Sequence, residues 1–181
     1  IPNPGPQTDA YFSQADLLGF GGQAAGGKSS LHLGLAFNEH RVSMIVRRQF
    51  ADFSGIIRDT KLLNGGDEGF RESPRPRLIR HDGREIEFIG VKELGKEYSQ
   101  QGNPHDYVGI DECCQLLLAQ VKFLFGWCRT TIVGQRTRKV LTTNPPLTAE
   151  GLWFIAMFRP GLDLTHPKPA KIGELRWFIT A

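Results

Sequence analysis

One stretch decides the fold of this chain: Gly21-Gly22-Gln23-Ala24-Ala25-Gly26-Gly27-Lys28-Ser29-Ser30, which contains the pattern Gly-x₄-Gly-Lys-Ser. Glycines allow positive φ and let successive backbone N–H groups point inward, so such a loop forms a nest for phosphate oxygens. In this pattern Lys28 reaches the β- and γ-phosphates of a nucleotide, and the hydroxyl of Ser29 binds Mg²⁺. We therefore predict that residues Gly22 to Ser30 bind a nucleotide, with Ser29 as a metal ligand.

The flanks of this loop supply the structural context that the pattern requires. Leu17 to Phe20 is predicted as a short buried strand, and Ser29 to Phe37 as a helix whose positive N-terminal end faces the phosphates. The chain has 21 glycines, so the glycine spacing alone can arise by chance. The order of strand, loop and helix favours a true phosphate-binding loop.

Length and composition favour one α/β domain without a membrane segment. The chain has 181 residues, of which 40% are hydrophobic, which is enough for a substantial core. The formal net charge of +3 is too small to indicate nucleic-acid binding by itself. No apolar run approaches a membrane span. The chain begins at Ile1 without a signal peptide or an initiating Met, which is consistent with a fragment of a longer protein.

The cysteines and histidines predict a reduced protein without a zinc site. Cys113, Cys114 and Cys128 show no C-x-x-C spacing, as expected for free thiols in the cytosol. The five histidines form no H-x-H or H-x-x-x-H pair.

The N-terminal segment is predicted as an extended arm over about residues 1–14, because three prolines fall within its first six residues. Gln7 lies fifteen residues before Gly22. Its amide offers a paired donor and acceptor that suit the edge of an adenine. Spacing alone leaves this role and an inert arm equally open.

The next part of the chain predicts a parallel sheet extended by a hairpin. Arg41 to Arg48 is predicted as a strand, and the arginines at its end either meet the ligand or are solvated. A helix follows through Phe53 and Leu63. The segment Arg77 to Ile89, with Asp82-Gly83 at its centre, predicts an antiparallel hairpin. We expect a two-residue type I′ turn, with Leu78 and Arg80 opposite Glu85 and Glu87.

A buried strand, Asp106 to Ile110, is predicted to end in the acidic pair Asp111-Glu112. Adjacent carboxylates repel each other unless a cation lies between them. Beside a phosphate-binding loop, Asp111 would hold Mg²⁺ through water together with Ser29. Glu112 would orient and deprotonate the attacking water. The alternative is a solvated acidic turn.

The last predicted strands and helices complete the sheet. The strand Lys139 to Thr143 ends at Asn144-Pro145-Pro146, because proline cannot continue it. Thr143 and Asn144 would lie beside the γ-phosphate as candidate nucleotide sensors, with an ordinary turn as the alternative. The remaining predicted elements are a helix from Leu116 to Trp127, a helix near residues 152–158 and a strand from Glu174 to Ile179.

Together these features resemble the large subunit of tailed-bacteriophage terminase, the motor that packages phage DNA. The similar segments cover nearly the whole chain. In order they are Pro4–Thr8, the glycine-rich loop, Arg47-Arg48, Tyr98–Gly102, Asp111-Glu112, Gly126–Thr131, Thr143–Pro146 and Gly173–Trp177.

The resemblance implies an ATPase with ATP and Mg²⁺ as cofactors. Gln7 corresponds to the adenine-reading glutamine of that family, and Lys28 and Ser29 to its phosphate and magnesium residues. Asp111 corresponds to the Walker B acid and Glu112 to the catalytic glutamate.

Further residues are implied to couple hydrolysis to movement. Thr143 and Asn144 resemble the coupling motif. Arg129 matches an arginine that can reach the nucleotide of a neighbouring subunit, and it joins Lys28 and Glu112 as a catalytic candidate. Many terminases carry an arginine where this chain has Gln23, so an arginine finger from the same chain is not expected.

The resemblance also implies partners and a domain type. The expected partners are double-stranded DNA, the portal protein, the small terminase subunit and further copies in a homo-oligomeric ring, with a monomer as the alternative for the isolated chain. Such a motor works in the host cytoplasm during virion assembly. We expect residues 1–181 to form one P-loop ATPase domain of the additional-strand, catalytic-glutamate type, without the nuclease domain of the family. The alternatives are a small-molecule kinase and a nucleotide-binding interaction module that does not hydrolyse.

Overall fold

An eight-stranded mixed sheet organises the computed structural model, which describes residues 1–22, 26–162, 165 and 176–181. The strands are β1 (Leu17–Gly21), β2 (Val42–Arg47), β3 (Phe70–Arg71), β4 (Arg77–Ile79), β5 (Glu85–Gly90), β6 (Tyr107–Ile110), β7 (Arg138–Thr143) and β8 (Arg176–Thr180). Their order is β3-β4-β5-β2-β6-β7-β1-β8.

The sheet is parallel except at one end. Neighbours from β5 to β8 in this order run parallel, whereas β4 is antiparallel to both β3 and β5. The carboxyl ends of β1, β2, β6 and β7 therefore meet at one edge. The predicted mostly parallel sheet with an antiparallel hairpin is confirmed. Strand β7 lies between β1 and β6, so the glycine-rich loop and the acidic pair follow strands that are not direct neighbours.

Helices cover both faces of the sheet. They are α1 (Pro6–Phe12), α2 (Lys28–Asn38), α3 (Ser54–Asn64), α4 (Leu118–Gly126) and α5 (Trp153–Leu162). Side chains alternate across β2: Met44 and Val46 pack in the core cluster that contains residues of α4 and α5, whereas Ile45 packs with residues of α2 and α3. This double burial explains the apolar run from Met44 to Val46 within the strand. No helix in the described part of the chain is long and apolar enough to cross a membrane.

The predicted extended arm is wrong between residues 6 and 12, where α1 forms. Pro6 stands in the first turn, where a missing N–H costs no hydrogen bond and the fixed φ suits a helix. Ala10 is fully buried in the same core cluster as Leu31 and Leu35 of α2. Pro6 thus starts a helix instead of preventing one.

The hairpin exists as predicted, but its turn differs. A type I′ turn needs positive φ at both central residues, and of Asp82 and Gly83 only Gly83 has one, at 82°. The loop therefore contains three residues and is closed by a hydrogen bond from Arg80 N to Arg84 O. The register changes the charge pairing: Arg77 pairs with Glu85 at 2.9 Å, and Asp82 pairs with Arg80 at 3.1 Å and with Arg84 at 2.7 Å.

The last strand is described from Arg176 onward, where β8 pairs in parallel with β1. The predicted residues Glu174 and Leu175 lie outside the described residues, as does most of the Gly173–Trp177 segment.

Arg138 anchors α1 to the sheet, and its replacement tests this contact. Its side chain is 2% exposed and donates to the carbonyls of Ala10 and Tyr11 at 2.7 and 3.0 Å. We expect Arg138→Met to lower the free energy of unfolding by about 2–4 kcal/mol, because these carbonyls lose a buried charged donor. Urea unfolding measures the loss. Arg136→Met is the control, since Arg136 is about one-third exposed and should cost less; equal losses would contradict the anchoring role.

Candidate active site

A cavity of about 400 Å³ opens at the carboxyl edge of the sheet. Ligand pockets usually measure roughly 300–1,000 Å³. The lining residues come from the start of α2 and the ends of β6 and β7. They are Gly26, Gly27, Lys28, Ser29, Ser30, Asp111, Glu112 and Asn144. All eight are residues that the sequence predicts to contact nucleotide, metal or water, although their binding roles stay predictions.

One predicted site residue, Gly22, lies beside this cavity, and three others lie outside the described residues. Gln23, Ala24 and Ala25 lie outside the described residues. Gly22 follows β1 directly and donates its N–H to the carbonyl of Thr143, at the end of β7, at 3.3 Å. The two loops that border the cavity are therefore joined at their base.

Gly27 allows the loop to turn into α2. It is the N-cap of the helix and has φ 70°, a left-handed conformation that favours glycine. A side chain here would also overlap the amide of Gln7. Gly27 has no side chain that could cap α2, and the positive N-terminal end of this helix borders the cavity.

The amide of Gln7 braces the loop. Gln7 is buried, donates from Nε2 to Gly27 O at 2.7 Å, and accepts at Oε1 from Asn3 N at 2.5 Å. The helix α1 therefore carries this residue to the glycine-rich loop. The amide nitrogen and the amide oxygen of Gln7 each keep one further hydrogen-bonding position. The adenine-reading role of Gln7 therefore stays a prediction.

Lys28 lies close to its own loop, with Nζ donating to Gly22 O at 3.4 Å. Burial lowers the pKa of this lysine below its ordinary value, while the negative charges of Asp111 and Glu112 act in the opposite direction. The two carboxylates and the lysine thus influence each other across the cavity.

Asp111 is the most buried acid of the site, with 2% of its surface exposed. Oδ2 accepts from Ser29 Oγ at 2.7 Å and from Arg47 Nη2 at 2.6 Å. Burial alone raises the pKa of Asp111, but the His32 ring, the Arg47 charge and hydrogen bonds from Thr142 and Ser29 lower it, and the net direction is downward. An ionised carboxylate is therefore held beside the serine hydroxyl.

A buried chain of hydrogen bonds ends on the other oxygen of Asp111. Thr142 donates from Oγ1 to Asp111 Oδ1 at 2.6 Å, so its oxygen accepts from His32 Nε2 at 2.9 Å. His32 Nδ1 then has no proton and accepts from the hydroxyl of Tyr107 at 2.7 Å. The chain fixes one neutral tautomer of His32. Burial lowers the pKa of His32 to about 4.

The sequence analysis did not predict this chain of hydrogen bonds, although Gly109 gives a signal for it. A Cβ at Gly109 would overlap both His32 Nδ1 and the ring of Tyr107. A glycine in the middle of a buried strand often marks a close approach by another group. Here the approaching group is the histidine about one helical turn beyond Ser29.

Glu112 has an unusual backbone. It is the only non-glycine residue with positive φ among residues 1–22, 26–162, 165 and 176–181, at φ 54° and ψ 42°. Such conformations cost of order 1 kcal/mol and cluster at functional sites. Gln115 Nε2 donates to Glu112 Oε2 at 2.6 Å, and 37% of the glutamate side chain is exposed. The carboxylate is thus oriented and accessible to water.

Thr143 and Asn144 follow the predicted placement at the end of β7. Thr143 is buried and donates from Oγ1 to the carbonyl of Asn144 at 2.7 Å, while Asn144 lines the cavity. Their sensor role stays a prediction.

Arg129 lies at the opposite edge of the sheet. Its N–H donates to His105 O just before β6, and its guanidinium stacks 4.4 Å from a Trp127 ring centroid. Asp111 follows the other end of β6, six residues after His105, so roughly 20 Å of extended chain separate the two positions. For the predicted catalytic role, Arg129 would therefore have to reach the cavity of a second copy of the protein. The helix α4 ends at Gly126, three residues before Arg129, so Arg129 is not part of its last turn.

The comparisons with known proteins identify a fold. No protein-family profile and no curated protein sequence matches the chain. Two crystal forms of the large terminase from a thermophilic bacteriophage are similar in structure, each with 14% identity over 99% of this chain, at TM-scores of 0.64 and 0.60. A structure of that terminase in complex with ADP has 16% identity over 97% of this chain and a TM-score of 0.59.

The chain spans a little under half the length of that terminase, between 44% and 46% in the three structures. At this level of identity the likeness shows the fold alone. The chain therefore has the α/β fold found in part of a phage large terminase.

The burial of His32 predicts how the stability of the fold depends on pH. His32 faces Tyr107, Thr142 and the charges of Asp111 and Arg47, and it stays neutral down to about pH 4. In the unfolded chain a histidine takes up its proton near pH 6.5, so between about pH 6.5 and 4 the unfolded state binds more protons and stability falls as pH falls. We expect about 2 kcal/mol less stability at pH 5 than at pH 7 from this group.

Urea unfolding at both pH values checks this expectation. His32→Gln should be less stable at pH 7 but should lose less stability on acidification than the wild type. His81→Gln is the control, because His81 is exposed and should keep the wild-type dependence. The same acid sensitivity in His32→Gln and wild type would contradict the prediction.

Proposed function

We propose that the chain is the ATPase domain of a phage DNA-packaging terminase, which hydrolyses Mg-ATP to drive double-stranded DNA into a procapsid. The main support is the cavity in which Lys28, Ser29, Asp111 and Glu112 converge on a terminase fold. The ADP complex of the phage terminase with the similar fold supports nucleotide as the ligand.

The strand order supports the P-loop type. The glycine-rich loop follows β1, the acidic pair follows β6, and β7 is inserted between these strands. This insertion is the arrangement that the term additional-strand describes. Glu112, directly after the metal-binding acid, then takes the position of the catalytic glutamate.

The residues of the site fit Mg²⁺. A hydroxyl and a carboxylate, Ser29 Oγ and Asp111 Oδ2, lie 2.7 Å apart at the phosphate end of the cavity. Mg²⁺ prefers such oxygens and uses one or two carboxylates together with substrate phosphates and water. The described residues contain no group of three or more His, Cys, Asp or Glu side chains that could hold a metal alone. A nucleotide-dependent site does not need one.

The chemistry of the protein is positioning and charge stabilisation. The first turn of α2 and Lys28 would bind the β- and γ-phosphates. Ser29 and Asp111 would hold Mg²⁺, which supplies positive charge to the transferring phosphoryl group when bound. Glu112 would take the proton of the attacking water, and its exposed, Gln115-oriented carboxylate suits this role.

The proposed motor includes partners. We propose double-stranded DNA as the substrate that moves, and the portal protein and small terminase subunit as partners in the host cytoplasm. The three cysteines are free thiols in the structure, as a reducing compartment would keep them. A homo-oligomeric ring would bring Arg129 of one copy to the cavity of the next.

Two substitutions at the cavity test hydrolysis. Lys28→Ala should lose nucleotide binding and turnover, because the phosphates lose a loop cation. Glu112→Gln should still bind Mg-ATP but release phosphate at least about 100-fold more slowly, since it cannot accept a proton. The measurements are binding of a fluorescent ATP analogue and phosphate release without any acceptor, which also separates a hydrolase from a kinase. Glu68→Gln, an exposed glutamate outside the site, is the control.

Two results would contradict these expectations. Normal hydrolysis by Glu112→Gln would mean that another residue is the base. Tight nucleotide binding without phosphate release, even by assembled rings, would favour the non-hydrolysing interaction module.

Mixed rings test the role of Arg129. An arginine finger contributes about 10³ to 10⁵ in rate where it has been measured. We expect Arg129→Ala rings and Glu112→Gln rings to be inactive separately and to regain phosphate release when mixed, because an intact arginine then meets an intact glutamate in the next copy. Arg58→Ala is the control, since Arg58 is 74% exposed and far along the chain from the cavity residues. Wild-type rates in Arg129→Ala rings would rule out the finger.

A further inference from the structure

Arg47, the last residue of β2, contacts the same oxygens that the proposed metal needs. Its Nη2 lies 2.6 Å from Asp111 Oδ2 and 3.4 Å from Ser29 Oγ, and its Nε lies 3.1 Å from Asp111 Oδ2. Nη2 also lies 4.0 Å from Glu112 Oε1. One guanidinium thus contacts the serine and acid of the metal site and approaches the candidate base.

The position of this guanidinium is built into the fold. Only 14% of the Arg47 side chain is exposed. Its Nη1 donates to the carbonyl of Asp52, and its Cζ lies 6.0 Å from the ring centroid of the fully buried Phe53. The neighbouring Arg48 differs, since it is exposed and donates at 3.4 Å to the carbonyl of Gln115. Arg47 is therefore not a solvated strand end.

Arg47 and a metal ion exclude each other from this position. Mg²⁺ binds oxygen ligands at about 2.0–2.1 Å. It would contact the protein oxygens either directly or through a bound water that itself hydrogen-bonds the carboxylate. In both cases the ion or its water needs the lone pairs of Ser29 Oγ and Asp111 Oδ2 that face the guanidinium. Two cations at this separation also repel each other.

We infer that Arg47 is an internal counter-cation that competes with Mg²⁺ for the oxygens of Ser29 and Asp111, so that metal loading displaces it. The inference rests on the proposed function, because that function places the metal at these two residues. Asp111 thereby keeps a positive partner whether or not the metal is bound, which a buried carboxylate requires.

Displacement of Arg47 also affects a second element. The same guanidinium bonds to Asp52 in the 3₁₀ turn Phe50–Phe53, which leads directly into α3. When the guanidinium leaves Asp111, this turn loses its link to the metal site. Arg47 is thus a positioning residue that connects the charge at the phosphates with the start of α3.

The test measures how much the metal improves nucleotide binding. The dissociation constant of a fluorescent, non-hydrolysable ATP analogue is determined with Mg²⁺ and with EDTA, and the ratio of the two values is the metal benefit. Arg47→Gln removes the competitor, so we expect its metal benefit to exceed that of the wild type about tenfold or more. Arg48→Gln, the matched control for loss of one arginine, should keep the wild-type ratio. Asp111→Asn should bring the ratio close to one.

The outcomes separate the two hypotheses. A wild-type ratio in Arg47→Gln, with the ratio lost in Asp111→Asn, would overturn the competition and leave the proposed function intact. A wild-type ratio in Asp111→Asn, or no nucleotide binding by the wild type, would overturn the metal site and the competition together.

A second measurement covers the case in which Arg47→Gln does not fold. Arg47→Lys keeps the charge but lacks the planar fork that reaches Ser29 and Asp111 together. In the presence of the ATP analogue, Mg²⁺ should raise the melting temperature of Arg47→Lys more than that of the wild type and of Arg48→Lys. Equal shifts in all three proteins would overturn the inference.

Discussion

The structure depends on one buried carboxylate. Asp111 is almost fully enclosed, and an isolated charge in that environment would be strongly unfavourable. The fold meets this requirement from three sides, with Ser29 at the start of α2, Arg47 at the end of β2 and Thr142 in β7. The elements that would bind phosphate, report on it and hold the metal are therefore connected through a single side chain, and a change at any of them alters the environment of the others.

Much of the fold and the cavity could be predicted because the signals are local. The glycine-rich loop, the acidic pair after an apolar strand and the prolines after β7 each act on their own few residues. The parallel sheet then brings the carboxyl ends of β1, β6 and β7 to one edge. This is why eight predicted residues line one cavity.

Apart from the type of the hairpin turn, the missed features depend on contacts between distant parts of the chain. The helix at Pro6 requires burial of Ala10 and the buried donor Arg138, which lies 128 residues away from Ala10. The place of His32 depends on the space left by Gly109. Arg47 and Arg48 are equivalent in sequence terms, and only the packing of the 3₁₀ turn after β2 shows which of them contacts Asp111. Residue spacing along the chain does not contain this information.

The placement of Arg129 has a consequence for symmetry. The cavity and Arg129 lie at opposite edges of one sheet, so a contact that joins them pairs two different surfaces of the same molecule. Such a head-to-tail contact is heterologous, and repetition of it gives a closed ring or an open filament instead of a two-fold dimer. Every copy in a ring of this kind has the same orientation, and the assembly therefore has two different faces. A polymer held at the centre of the ring would meet a directional machine, because the polarity of the assembly already exists in the single sheet.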